Sequence, residues 1–126
     1  PCATVGSDGI YGGRPHPRLF GSYPKYLREY VRESKTFTLE EAVRKITSFP
    51  AEILGIPDRG TIKESAWADL VLFDPEKIGD RATYEEPEQY PEGISYVFVN
   101  GVKVVNPKGT SGTLPGRVLR KGKIQD

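Results

Sequence analysis

Three side chains near the start of the chain could transfer a proton or bind an anion: Asp8, His16 and Arg18. Asp8 lies between glycines in residues 6–9, a flexible turn whose carboxylate could accept and return a proton. His16 lies between two prolines that stiffen the loop, and the guanidinium of Arg18 matches a carboxylate in bidentate geometry. A structural alternative stays open for each, because Asp-Gly is common in turns and loop histidines are often structural.

The chain is not expected to build a catalytic zinc site from its own residues. Such a site needs three or four ligands from Cys, His or carboxylates, and this chain has one histidine and one cysteine. Cys2 is therefore expected to be a small buried residue.

Composition restricts the kind of protein and its partners. The 126 residues suit one globular domain, and the 18 basic residues nearly balance the 17 acidic ones. This balance argues against a nucleic-acid partner, and the sequence has no apolar run that could span a membrane. A single cysteine gives no sign of an oxidising compartment, so we expect a cytoplasmic protein. The absence of methionine is typical of a fragment.

The first half of the chain predicts one strand, one loop and a group of helices. Residues 3–5 form a short apolar strand that leads into the turn at Asp8, and residues 10–23 form a loop. Helices are predicted over 24–34, 38–46 and 50–54. Thr38 and Glu41 form a capping box at the second of these.

The second half predicts a small antiparallel β unit. Strands are predicted over 61–62, 68–74, 94–99, 102–105 and 117–119. Asn100-Gly101 favours a type I′ hairpin turn, and the apolar run of 68–74 predicts burial on both faces. The long irregular segment 75–93 is expected to pack along a neighbouring surface.

We therefore divide the chain into residues 1–55 and 56–126. The first part is not self-sufficient, because a lone strand with helices has no sheet to join. Either it packs on the β unit, or it is the end of a larger α/β domain.

An ordered set of motifs resembles a known superfamily. Residues 60–62 (GTI), 68–74 (ADLVLFD) and 99–101 (VNG) are similar to the closing pattern of the amidohydrolases. The more specific motifs are 6–9 (GSDG), 15–18 (PHPR), 47–51 (TSFPA), 58–60 (DRG), 80–83 with 86–87 (DRAT, EP) and 115–119 (PGRVL). Together they resemble the C-terminal part of the D-aminoacylases, which are N-acyl-D-amino-acid deacylases.

This resemblance implies a fold. The family has a (β/α)8 barrel and a small β-sandwich built from both chain ends. Residues 3–7 would be the eighth barrel strand, 24–55 the helices after it, and 60–119 the C-terminal strands of the sandwich. Ser65 stands where the family usually has Gly, which would strain the backbone if this position requires a positive φ.

The resemblance also implies roles for the three side chains. Asp8 would be the catalytic proton shuttle near the metal and a candidate metal ligand, while the zinc would be bound mainly by residues outside this chain. Arg18 would bind the substrate α-carboxylate, and His16 would orient Arg18 or contact the substrate.

The expected function is hydrolysis of the amide bond of N-acyl-D-amino acids, with zinc as cofactor and the rest of the hydrolase chain as partner. The 126 residues alone are expected to be inactive. Two alternatives remain: a non-catalytic β module for packing or assembly, and an amidohydrolase that acts on another amide, such as a cyclic one.

Overall fold

The computed structural model describes residues 3–120, with helices in the first half and one antiparallel sheet in the second. Cys2, expected to be buried, lies outside the described residues. Within this described part, no helix is long and apolar enough to cross a membrane.

The first helix, α1, spans Arg18–Leu27 and continues as a π-helical turn over Arg28–Glu33. It begins earlier than predicted, because Pro17 has φ −51° and ψ −25°, backbone angles that already suit a helix start. The predicted loop over 10–23 is therefore too long at its end. Pro24, expected in the first helical turn, lies inside α1.

The next two helices follow the sequence prediction closely. Helix α2 spans Leu39–Ile46, and its capping box between Thr38 and Glu41 is confirmed in both hydrogen bonds. Helix α3 spans Ser48–Leu54, which places Pro50 in its first turn, where a missing N–H is tolerated. It ends at Gly55, whose φ of 66° makes a left-handed cap.

The small core joins the helices to the long irregular segment 75–93. Tyr26, Leu27 and Ala42 from the helices are buried together with Ile78 from that segment. Arg28 adds an ion pair to Asp80, with 3.0 Å between its Nη2 and the carboxylate. The expectation that segment 75–93 packs on a neighbouring surface is thus confirmed.

The sheet contains four antiparallel strands in the order β1-β2-β3-β4. They span Leu70–Phe73 (β1), Ile94–Val99 (β2), Val102–Asn106 (β3) and Gly109–Thr110 (β4). The predicted hairpin between β2 and β3 is confirmed, since Asn100 and Gly101 both have positive φ, 49° and 78°.

Burial of β1 on both faces was predicted and is wrong. Leu70, Val71 and Leu72 are 39%, 54% and 58% exposed. Successive side chains of a strand point to opposite faces of the sheet, so the exposure of all three shows that neither face is covered at β1 within residues 3–120. β1 also lies at an edge of the sheet, where its only strand partner in this part of the chain is β2.

Three predicted strands, over 3–5, 61–62 and 117–119, are not formed. A strand requires a ladder of hydrogen bonds to a neighbour, and no part of the described chain supplies one to these segments. Ile62 is 92% exposed and Val118 is 81% exposed, whereas Val5 of the first segment packs against the small core. Three assignments remain predictions: residues 3–7 as a barrel strand, residues 60–119 as part of a sandwich, and the boundary at residue 55.

Arg59 ties three segments of the second half together. Its guanidinium pairs with Asp69 and donates to Asn100 Oδ1 at 2.6 Å, while its side chain is only 8% exposed. Asn100 in turn donates its side-chain amide to the Pro115 carbonyl at 2.6 Å. These contacts connect the start of β1, the hairpin turn and the C-terminal segment.

Ser65 and Asp74 each belong to a turn in this half, and the expectation for Ser65 is met. Ser65 has a φ of 64°, so the position does require the left-handed region that favours glycine. Asp74 has a structural role: it accepts the Glu76 N–H at 3.0 Å. This hydrogen bond, helped by Lys77, lowers the pKa of Asp74 below its ordinary value.

Candidate functional site

The predicted proton shuttle and the predicted anion-binding residue contact each other. Arg18 Nη1 donates to Asp8 Oδ2 at 2.6 Å, and the two side chains are 40% and 77% exposed in the order Arg18, Asp8. Asp8 has a φ of 48°, in the left-handed region that aspartate tolerates better than most residues. The turn therefore presents the carboxylate to the start of helix α1.

Gly9 allows this close approach. A Cβ at this position would lie 2.9 Å from Leu19 Cδ1 and 3.2 Å from Leu19 Cα. The Gly9 N–H also donates to Ser7 Oγ at 3.3 Å, which closes the turn locally. A larger residue at position 9 would push Asp8 away from α1.

His16 contacts Arg18 through the backbone rather than through the guanidinium. Its Nδ1 accepts the Arg18 backbone N–H at 3.0 Å, so Nδ1 carries no proton. The neutral ring is then protonated at Nε2, which lies 3.2 Å from Tyr84 Oη and donates to it. The ring of Tyr84 also packs edge-on against His16, with 5.0 Å between the ring centroids.

The structure thus brings together all three residues predicted from the sequence. Asp8 contacts the side chain of Arg18, and His16 contacts its backbone. The catalytic and substrate-binding roles assigned to them remain predictions, because these contacts show proximity and not chemistry.

Tyr84 is the contact that sequence reasoning missed. It lies 68 residues beyond His16 in the chain, in a segment without regular secondary structure. Its position depends on the anchoring of that segment by Ile78 in the core and by the Arg28–Asp80 pair. The pKa of Arg28 is raised, first by its hydrogen bond to Glu33 and then by Asp80, so the anchor stays charged.

The described residues do not form a metal site. Among residues 3–120, no group of three or more His, Cys, Asp or Glu side chains is arranged to hold a metal ion. Asp8 could supply one carboxylate ligand, but it is paired with Arg18. Both ring nitrogens of His16 are also in hydrogen bonds, one with the Arg18 backbone and one with Tyr84.

Comparisons with known proteins identify the class. A family model described as the amidohydrolase family matches residues 3–105, so the chain belongs to the amidohydrolase family. Among curated proteins, it is 46% identical over 121 residues to an N-acyl-D-glutamate deacylase of Alcaligenes xylosoxydans xylosoxydans, across 95% of this chain and 25% of the relative.

Two crystal structures agree with this match. An N-acyl-D-glutamate deacylase from Bordetella bronchiseptica, complexed with zinc and a phosphonate mimic of the tetrahedral intermediate, is 47% identical with a TM-score of 0.85. The match covers 93% of this chain and 25% of that one. A D-aminoacylase is 42% identical with a TM-score of 0.89, over 94% of this chain and 25% of its own.

The chain therefore spans about a quarter of the length of the relatives that it matches. The resemblance to the D-aminoacylases that the motifs predicted is confirmed by these similarities.

Proposed function

We propose that this chain contributes Asp8, Arg18 and His16 to the active site of a zinc-dependent amidohydrolase that hydrolyses N-acyl-D-amino acids. The observation that carries the proposal is the Asp8–Arg18 contact at 2.6 Å, in a chain whose relatives act on such substrates. It pairs a carboxylate able to move a proton with a guanidinium able to bind a carboxylate.

Asp8 transfers the proton. Hydrolysis adds water to the amide carbonyl carbon and breaks the C–N bond, so one proton must leave the water and another must reach the amine. A positioned carboxylate can accept the proton from the water and then donate that same proton to the amine nitrogen as the C–N bond breaks. Zinc would activate the water and polarise the carbonyl, held mainly by residues outside this chain.

Arg18 binds the α-carboxylate of the substrate. Its guanidinium already accommodates one carboxylate, that of Asp8, and it offers further N–H donors for a second. Lying at the first position of helix α1, it has its backbone held by His16. The substrate carboxylate would then lie next to the proton shuttle.

The 126 residues by themselves should be inactive, since within residues 3–120 no three or more His, Cys, Asp or Glu side chains are grouped to hold a metal, and the chain spans only part of the relatives' length. Residues 3–7 would form the last strand of the barrel, and the sheet would be part of the sandwich.

The test uses the complete protein that contains this chain, loaded with zinc. Its substrates are N-acyl derivatives of D-glutamate, D-aspartate and a neutral D-amino acid, with their L-enantiomers and a cyclic amide. The proposal expects zinc-dependent hydrolysis of at least one D-substrate and loss of activity with a chelator. Turnover of the cyclic amide alone would favour the other amidohydrolase activity, and no turnover at all would favour a non-catalytic module.

A further inference from the structure

The contact between Tyr84 and His16 has a consequence for Arg18. We propose that Tyr84 is a positioning residue, which acts through His16 to hold Arg18 in the orientation that binds the substrate carboxylate. This inference rests on the proposed function of Arg18 and adds a residue from a distant part of the chain.

The hydrogen bonds of His16 determine which ring nitrogen carries the proton. Because the Arg18 backbone N–H donates to His16 Nδ1 at 3.0 Å, that nitrogen must be free of a proton. The proton on Nε2 then requires an acceptor, and Tyr84 Oη lies 3.2 Å away. Tyr84 therefore stabilises the tautomer that accepts from Arg18.

His16 caps the start of helix α1, where Arg18 is the first residue. The first N–H groups of a helix have no partner within the helix, and Pro17 supplies no side-chain cap to α1. His16 fills this role with its ring, which accepts from Arg18, and with its carbonyl, which accepts from Leu19 at 3.0 Å. Fixing the backbone of Arg18 limits the directions in which its side chain can extend.

Tyr84 is itself held in place by its segment and by its ring contact with His16. Its segment is anchored by the buried Ile78 and by the pair between Arg28 and Asp80. Its ring meets that of His16 edge-on, with an interplanar angle of 80°. The hydroxyl and the ring thus restrain both the rotation and the position of His16.

Tyr84→Phe in the complete, zinc-loaded protein tests the proposal. It removes the hydroxyl and keeps the ring contact, so the fold should be preserved. We expect KM for an N-acyl-D-amino acid to rise roughly 3- to 10-fold, with kcat within about twofold of its original value. For the same compound with its α-carboxylate converted to an amide, kcat/KM should not change.

Tyr90→Phe is the matched control. Tyr90 lies in the same segment, is equally exposed at 70%, and packs edge-on against Phe20 at 5.8 Å. Its hydroxyl makes no hydrogen bond within residues 3–120, so this variant should leave both KM values unchanged. Unchanged kinetics in Tyr84→Phe, or equal losses for the acid and the amide substrate, would overturn the positioning role.

Two more variants separate this inference from the proposed function. Arg18→Ala should raise KM for the acid substrate more than Tyr84→Phe does. If it does not raise KM, both proposals fail, whereas a rise in Arg18→Ala alone overturns only the role of Tyr84. The double variant His16→Gln/Tyr84→Phe should raise KM for the acid substrate no more than the worse of His16→Gln and Tyr84→Phe alone. Additive effects of the two substitutions would contradict the proposal that Tyr84 acts through His16.

Discussion

Arg18 and Asp8 form an ion pair across ten residues of sequence, with 2.6 Å between Arg18 Nη1 and Asp8 Oδ2. The loop that follows the turn at Asp8 leads directly into helix α1, which begins at Arg18. Asp8 is 77% exposed and Arg18 is 40% exposed, so the contact can be reached by a ligand. In the proposed function, the substrate carboxylate joins the guanidinium beside Asp8.

Replacing Arg18 should weaken substrate binding more than it slows turnover. Arg18→Ala removes hydrogen bonds to a charged group and should raise KM by roughly 10- to 100-fold. Arg18→Lys keeps the charge but loses the planar guanidinium, so its KM should lie between that of the unsubstituted protein and that of Arg18→Ala. Steady-state kinetics on the complete protein measure this, with Lys25→Ala on the same helix as control. Equal KM values for Arg18→Ala and the control would contradict the assignment.

Gly93 should be irreplaceable for steric reasons. Its φ is 80°, and a Cβ there would lie 2.5 Å from Ile78 N and 2.6 Å from Ile78 Cα, which are backbone atoms that cannot move aside cheaply. Gly93→Ala should cost roughly 3 kcal/mol or more, from the left-handed backbone and the overlap together.

Gly101 is the matched control for that substitution. It has a similar φ of 78°, but a Cβ there would meet nothing within 4 Å. Gly101→Ala should therefore cost only about 1–2 kcal/mol. Thermal midpoints of the two variants of the complete protein compare the effects, and a larger loss in Gly101→Ala would contradict the packing of segment 75–93.

Arg59 should stabilise the fold without affecting the chemistry. Arg59→Ala leaves Asp69 without its ion-pair partner and Asn100 without a donor to its Oδ1, at a cost of about 3 kcal/mol. Arg44→Ala is the control, because its pair with Glu52 is exposed on both sides and should contribute less than about 1 kcal/mol. The thermal midpoint should fall clearly only in Arg59→Ala, and similar midpoints would show that the Arg59 contacts contribute little.

Local signals in the sequence predicted a good part of the fold. The capping box at Thr38 and the Asn100-Gly101 turn depend on neighbouring residues and on backbone φ, and both are confirmed. The contact between Asp8 and Arg18 was not predicted, although only ten positions separate the two residues.

The failures concern contacts that adjacent residues do not determine. The strands predicted over 3–5, 61–62 and 117–119 have suitable residues but no neighbouring strand within residues 3–120. The apolar run at β1 indicated burial on both faces, yet that burial depends on what packs on each face of the sheet. Tyr84 was missed because its contact with His16 depends on how segment 75–93 docks on the helices.

The role of Asp8 as proton shuttle is tested most directly by the kcat of Asp8→Asn in the complete, zinc-loaded protein. Asparagine tolerates the same positive φ and preserves the size of the side chain, but it cannot carry the proton. Asp74→Asn, outside the site, serves as control, with zinc content and thermal midpoint measured for both variants. We expect kcat for an N-acyl-D-amino acid to fall about 100- to 10,000-fold in Asp8→Asn and to stay unchanged in Asp74→Asn. Undiminished turnover by Asp8→Asn would contradict the role of Asp8 as proton shuttle.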